Sequence, residues 1–265
     1  MTVNDSIFYK EAEKFISLGA SFGWHERNAG NISLLLNDSE TASVKENFSN
    51  SGEWRALPYP VCPIGGRYIF TTASGSYFTD IDANCFSICE IDSKGENFRV
   101  VWGSGRPTSE LNGHLMSLSA LTERPDGFRA VYHCHPADLI ALTYILDNDD
   151  KTFSELLWKS ETECAFVFPN GLGVVSFEVP GSVGLAEATA EKMRYRDAVV
   201  WSFHGLFSAG ISVKDAFGRA HAIAKAAEIR LKIISSGAAE KNSITDRQLL
   251  LTAETFGCEL RGLEK

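Results

Sequence analysis

The chain has 265 residues, a formal net charge of −9 and 44% hydrophobic content. This can bury a substantial core, and no linker, composition break or long charge run divides it, so one domain over residues 1–265 is expected. The acidic balance argues against a nucleic-acid binder with a basic surface, and no apolar run is long enough to cross a membrane. A small anionic substrate stays open, because a local site can oppose the global field.

In chain order, the first stretch, MTVNDSIFYKEAEKF, is polar and acidic and lacks the apolar core of a secretory signal. The six cysteines contain no Cys-x-x-Cys pair, so free thiols in a reducing cytoplasm are expected. Asn4, Asp5 and Ser6 offer N-caps to a helix from Ile7 to about Leu18, with Ile7, Phe8, Ala12, Phe15 and Ile16 as its buried stripe. Asn28-Ala29-Gly30-Asn31 is a tight loop before a strand with Ile32, Leu34 and Leu36 on one face. Such a loop can turn its N–H groups to an anion or simply be a turn. Residues 37–66 look like an irregular surface excursion punctuated by Pro58, Pro60 and Pro63.

Tyr68 to Thr72 reads as a strand, followed by Ser74-Gly75-Ser76, again either a turn or an anion cradle. Phe86–Ile91 and Phe98–Trp102 read as two strands around an Asp92-Ser93-Lys94-Gly95 turn, a hairpin. Thr108 or Ser109 would cap a helix to about Leu121. Glu110 falls in its first turn, where an acid also meets the helix dipole favourably.

Ala130 to Leu146 is the central stretch. In a strand, side chains alternate, so Val131, His133 and His135 share one face and Tyr132 and Cys134 the other. Two imidazoles on one face can grip one metal ion, or be two hydrogen-bonded core histidines. Pro136 fits a helix start, and Leu139, Ile140, Leu142, Thr143, Ile145 and Leu146 give that helix an apolar face.

Beyond it, Asp147 to Asp150 read as a solvated loop, Ser154–Trp158 as a short helix, and Ala165–Phe168 and Gly173–Phe177 as strands. A helix follows Pro180-Gly181-Ser182 to about Tyr195. Ala198–Phe203 is a strand ending at His204-Gly205, where Gly205 would admit close backbone approach. A long helix runs from Val213 to about Ile234, and Thr245 with Gln248 forms a capping box for a last helix to Phe256. His133, His135 and His204 thus lie at or near strand ends, and three imidazoles with an open position suit a catalytic Zn²⁺. His25, His114 and His221 read as structural or exposed.

The segments GWHERNAGNISL, TTASGSYF, PTSELNGHL, AVYHCHPADLIALTY, ETECAFVFP and WSFHGLFSAG, in this order, resemble the class II (metal-dependent) sugar-phosphate aldolases of the aldolase/adducin superfamily. The resemblance spans most of the chain. Its length, the excursion before Tyr68 and the Thr-Glu-Cys segment pull toward the branch acting on L-rhamnulose 1-phosphate, away from the shorter fuculose-phosphate enzymes.

The resemblance implies an α/β fold, a three-layer αβα arrangement with a largely antiparallel sheet covered by helices on both faces. It implies His133, His135 and His204 as ligands of one Zn²⁺ per subunit, and Glu110 as acid/base. Glu163 would be a second acidic group reaching a neighbour's site in a homotetramer. Asn28, Gly30, Asn31, Ser74, Gly75, Thr108 and Ser109 would bind phosphate. Ser76 stands where a basic residue can occur, which puts one phosphate contact in doubt.

The implied reaction is cleavage of a phosphorylated ketose to dihydroxyacetone phosphate and L-lactaldehyde. It needs a base for the C4 hydroxyl and a sink for the charge left when C3–C4 breaks, which Zn²⁺ would supply. No lysine lies in 23–31, 74–78 or 108–135, as a Schiff-base route would require. The rival readings are another superfamily aldolase, a pentulose-phosphate 4-epimerase, and a non-catalytic adducin-like scaffold. A zinc hydrolase lacks a His-Glu-x-x-His signature.

Overall fold

The structure is a computed structural model and describes residues 1–263. The helices are α1 (Ile7–Ser21), α2 (Asp38–Val44), α3 (Leu111–Leu121), α4 (Ala137–Leu142), α5 (Asp150–Trp158), α6 (Cys164–Val167), α7 (Val183–Met193), α8 (Val213–Ser235) and α9 (Asp246–Thr255). The strands are β1 (Asn31–Leu35), β2 (Arg55–Ala56), β3 (Tyr68–Thr72), β4 (Phe86–Ile91), β5 (Asn97–Gly103), β6 (Ala130–Cys134), β7 (Leu172–Val175), β8 (Ala198–Trp201) and β9 (Gly205–Gly210).

Among the described residues the strands form one sheet of nine, in the order β2-β5-β4-β3-β1-β6-β9-β8-β7. All neighbours are antiparallel except β7 and β8. The sheet is mixed and largely antiparallel, as expected.

Alternation along the central strands divides the core into two layers. Tyr132, Cys134, Val200 and Leu206 join α1, α4, α5 and α8 on one face. Val131, Val199, Trp201 and Phe207 join α3 and α7 on the other. His133 follows Val131 onto this second face, where its ring lies 4.6 Å from that of Trp201.

Several elements depart from the sequence reading. Ile7 is exposed rather than part of the α1 stripe, and Tyr9 takes an inward position. The excursion of 37–66 contains α2, held by an Asn37–Glu40 capping box, and β2. The helix after Pro136 is short, and Ile145 is exposed beyond its end. Asp149 is not simply solvated but caps α5, and Asp150 pairs with Lys192 at 2.8 Å and Arg196 at 3.4 Å. Residues 164–167 are a helical turn instead of a strand, pinned against α5, α8 and α9. Gly205–Gly210 is a strand that the sequence reading did not mark.

Candidate metal centre and active site

Register brings the candidate residues to one end of the sheet. Asn31 pairs with His133, His133 with Phe207, and Trp201 with Gly205. The β8–β9 turn, residues 202–204, delivers His204 to the same end. Phe203 takes φ +65 there, an uncommon conformation for a bulky residue, and its N–H donates to the Thr143 hydroxyl at 3.0 Å. Gly205 must be glycine: a Cβ would lie 2.5 Å from the Cys134 carbonyl and 2.8 Å from the His135 ring.

The rings of His133, His135 and His204 form a triangle with all three centroid distances 5.0 Å. One ligand atom from each lies within 4.8 Å of the others. Their orientation follows from the surrounding partners. His133 Nδ1–H donates to the Leu206 carbonyl at 2.9 Å, and His135 Nδ1–H to the Glu26 carboxylate at 2.7 Å. In neutral rings this leaves lone pairs on the two Nε2 atoms, which face each other 3.2 Å apart. Two facing acceptors repel, and a cation between them removes that cost. Burial, reinforced by the other imidazoles, holds His133 well below its ordinary value, and burial with His135 pushes His204 down to about 4. Neutral imidazole is the form that ligates metal. The residues present therefore fit a divalent cation such as zinc.

Glu110 is the residue preceding α3, and its side chain does not cap the helix. Instead Glu110 is buried, with Oε2 accepting from Asn31 Nδ2 at 2.7 Å and 3.4 Å from His133 Nε2. Oε1 lies 3.8 Å from His204 Nε2. Burial raises its pKa, and the Asn31 hydrogen bond opposes that shift.

The remaining candidates divide. Ser74, Thr108 and Ser109 border one cavity of about 340 Å³, stitched by Ser74 N–H to the Arg106 carbonyl and Thr108 N–H to that of Thr72. Gly75 sits in the same loop with φ +80. Gly30 and Asn31 lie toward the histidines. A Cβ at Gly30 would sit 2.1 Å from His25 Nδ1 and 2.9 Å from the His133 carbonyl. Asn28 is exposed in the loop before them. Glu163 is exposed at the start of α6, and no hydrogen bond or ion pair among the described residues joins it to the histidines.

Sequence reasoning passed over four neighbours. Glu26, within the quoted Trp-His-Glu-Arg segment, fixes His135. His114 is fully buried and reaches Asn31; its spacing of four from Glu110 on one helix face was the available signal. Arg55 and Arg106 border the hydroxyl-lined cavity and make no ion pair among the described residues. Of the other histidines, His25 is buried against Tyr132 (2.6 Å) and His221 is exposed.

A three-histidine cluster beside a buried carboxylate, at the end of a helix-covered sheet, could hold a metal ion next to a proton-carrying group. Residues 13–231 match the class II aldolase and adducin N-terminal domain family, and the chain belongs to it. It is 36% identical to the rhamnulose-1-phosphate aldolase of Escherichia fergusonii, over 89% of this chain and 88% of that protein. It is 37% identical to that of Mannheimia succiniciproducens, over 89% of each. The sugar-phosphate aldolase structure from Thermotoga maritima superposes with a TM-score of 0.75 at 31% identity, covering 88% of this chain and 97% of that one.

Proposed function

We propose that this chain is a zinc-dependent aldolase that reversibly cleaves L-rhamnulose 1-phosphate to dihydroxyacetone phosphate and L-lactaldehyde. The observation carrying the reading is the convergence of three imidazoles on a buried carboxylate, in a chain of this family and this similarity to rhamnulose-1-phosphate aldolases.

His133, His135 and His204 would hold one Zn²⁺ per subunit. The ion would supply a Lewis acid that stabilises negative charge developing on substrate oxygens as C3–C4 breaks. Glu110 gives its proton to C3, releasing dihydroxyacetone phosphate, and is reprotonated by the proton that leaves the C4 hydroxyl as lactaldehyde forms; in the synthetic direction it removes the C3 proton. Its buried position favours carrying the proton, while Asn31 keeps the carboxylate accessible and oriented.

Ser74, Thr108 and Ser109 donate to the phosphate, with Gly75 in the same loop, and Asn28, Gly30 and the Asn31 backbone close the site on the side of the histidines while the Asn31 amide serves Glu110. Arg55 and Arg106 add the positive charge that Ser76 does not bring. Glu163 acts in a neighbour's site within a cytoplasmic homotetramer of single-domain subunits; its exposure leaves it available for that role.

The test is release of dihydroxyacetone phosphate from L-rhamnulose 1-phosphate beside L-fuculose 1-phosphate, before and after chelation and with zinc restored. Zinc-dependent cleavage favouring the rhamnulose substrate is expected. Chelator-insensitive cleavage would overturn the metal role. Cleavage of neither would overturn the substrate and direct the search to pentulose-phosphate epimerisation, then to a scaffold role.

A further inference from the structure

The helical repeat of α3 places His114 one turn after Glu110, inside the layer between α3 and β1. Its Nε2 is hydrogen-bonded to Asn31 Oδ1, and its Nδ1 lies 2.6 Å from Ser33 Oγ. Asn31 in turn gives Nδ2 to Glu110 Oε2 at 2.7 Å. The chain Ser33–His114–Asn31–Glu110 thus runs from the sheet interior to the carboxylate beside His133.

Each bond in this chain fixes the polarity of the next. Asn31 turns its NH₂ toward Glu110 Oε2, an oxygen that accepts whether the carboxyl is ionised or holds its proton on Oε1. That leaves its carbonyl oxygen facing His114, whose Nε2 must therefore carry the hydrogen. Burial keeps this imidazole neutral, so Nδ1 bears a lone pair and the Ser33 hydroxyl donates to it. The opposite imidazole tautomer would leave two acceptors face to face at Asn31, or force its amide to flip and set its oxygen against the carboxylate.

We propose that His114 is a positioning residue: its Nε2–H locks the Asn31 amide with the NH₂ toward Glu110, and so holds the carboxylate at the histidine cluster. This rests on the acid/base role proposed for Glu110. Packing alone does not require a histidine here. The ring meets Phe207 edge-on at 4.9 Å, a contact that a phenylalanine can also make.

Two variants and one measurement on the unaltered protein test the lock. His114→Phe removes the donor and keeps an aromatic ring, and His114→Gln keeps an N–H donor. Each is followed by melting, bound zinc, and kcat and KM for dihydroxyacetone phosphate release. His114→Phe is expected to retain zinc and to lose about 10–100-fold in kcat with KM within about 2-fold, as loss of an outer partner typically does. His114→Gln is expected to recover most of that kcat.

Near wild-type kcat in His114→Phe, equal losses in both variants, or a loss confined to KM would overturn the proposal. Independently, ¹⁵N NMR of the His114 ring in the unaltered protein is expected to show the Nε2–H tautomer. The Nδ1–H tautomer would overturn the lock even if the phenylalanine variant does not fold. If the unaltered chain releases no dihydroxyacetone phosphate, the functional reading fails, while the tautomer still decides the lock.

Discussion

His133 and His114 lie on two sides of Glu110, one touching it and the other reaching it through Asn31. Both are buried, and burial keeps both rings neutral. They differ in what remains of each ring after its protein partners are counted. His114 has both nitrogens engaged, by Ser33 and Asn31. His133 has one engaged by the Leu206 carbonyl, and its other nitrogen faces two more imidazoles and a carboxylate. Burial therefore does not separate a candidate ligand from a structural histidine; an uncommitted lone pair does.

The most severe way to break this comparison is to remove a ring on the ligand side. His204→Ala is expected to abolish zinc retention after dialysis, and turnover with it, whereas His114→Gln keeps the metal. Unchanged zinc stoichiometry in His204→Ala would take it out of the ligand set. Next in size, Glu110→Gln is expected to retain zinc and lose about 10²–10⁴-fold in kcat, the usual contribution of a positioned acid/base. Turnover near that of the unaltered enzyme would contradict its role.

A smaller effect sharpens the role of outer partners. Glu26→Gln weakens the acceptor that orients His135, and zinc affinity should fall about 10–100-fold. A competition titration against a chelator measures it, and equal affinities would show that Glu26 merely lies nearby.

A separate effect, on folding rather than on the site, is acid stability. Burial sets His114 at about 3 and His25 at about 4, both below the ordinary 6.5. Below pH 6.5 the unfolded chain therefore binds protons that the folded chain refuses. Stability is held above that pH and lost as pH falls from 6.5 toward about 4 for His25 and about 3 for His114. Urea midpoints against pH should show a shallower fall in His114→Gln; parallel curves would remove His114 from the titrating set.

How much of this was legible follows from the range of each signal. The period-two face of His133 and His135 is local, and so are Tyr68–Thr72 and Phe86–Ile91, whose bounds match the strands observed. The Thr245–Gln248 capping box was legible because apolar residues follow it. Asn37–Glu40 is the same device and went unread, because α2 buries only Val44 and presents no apolar run. The strand Gly-Leu-Phe-Ser-Ala-Gly is buried on both faces, so it shows no alternation. Asp150 looked solvated because its partner Lys192 is 42 positions away. At the site, the histidines stood out by their spacing, Glu110 and Asn31 were named as site residues only through the family resemblance, and Glu26 was not singled out. Glu26 meets His135 across 109 positions, and Asn31 meets Glu110 across 79, separations that leave no local trace.

The register of β6 with β9 carries one more consequence, for how the molecule forms. His133 finds the Leu206 carbonyl 73 positions downstream only when these two strands have paired. Closing so long a loop costs entropy before any contact rewards it. The complete three-ring site therefore exists only once this pairing has formed. Zinc should leave the refolding rate nearly unchanged and slow unfolding, so that it governs the lifetime of the native chain rather than the speed of its birth.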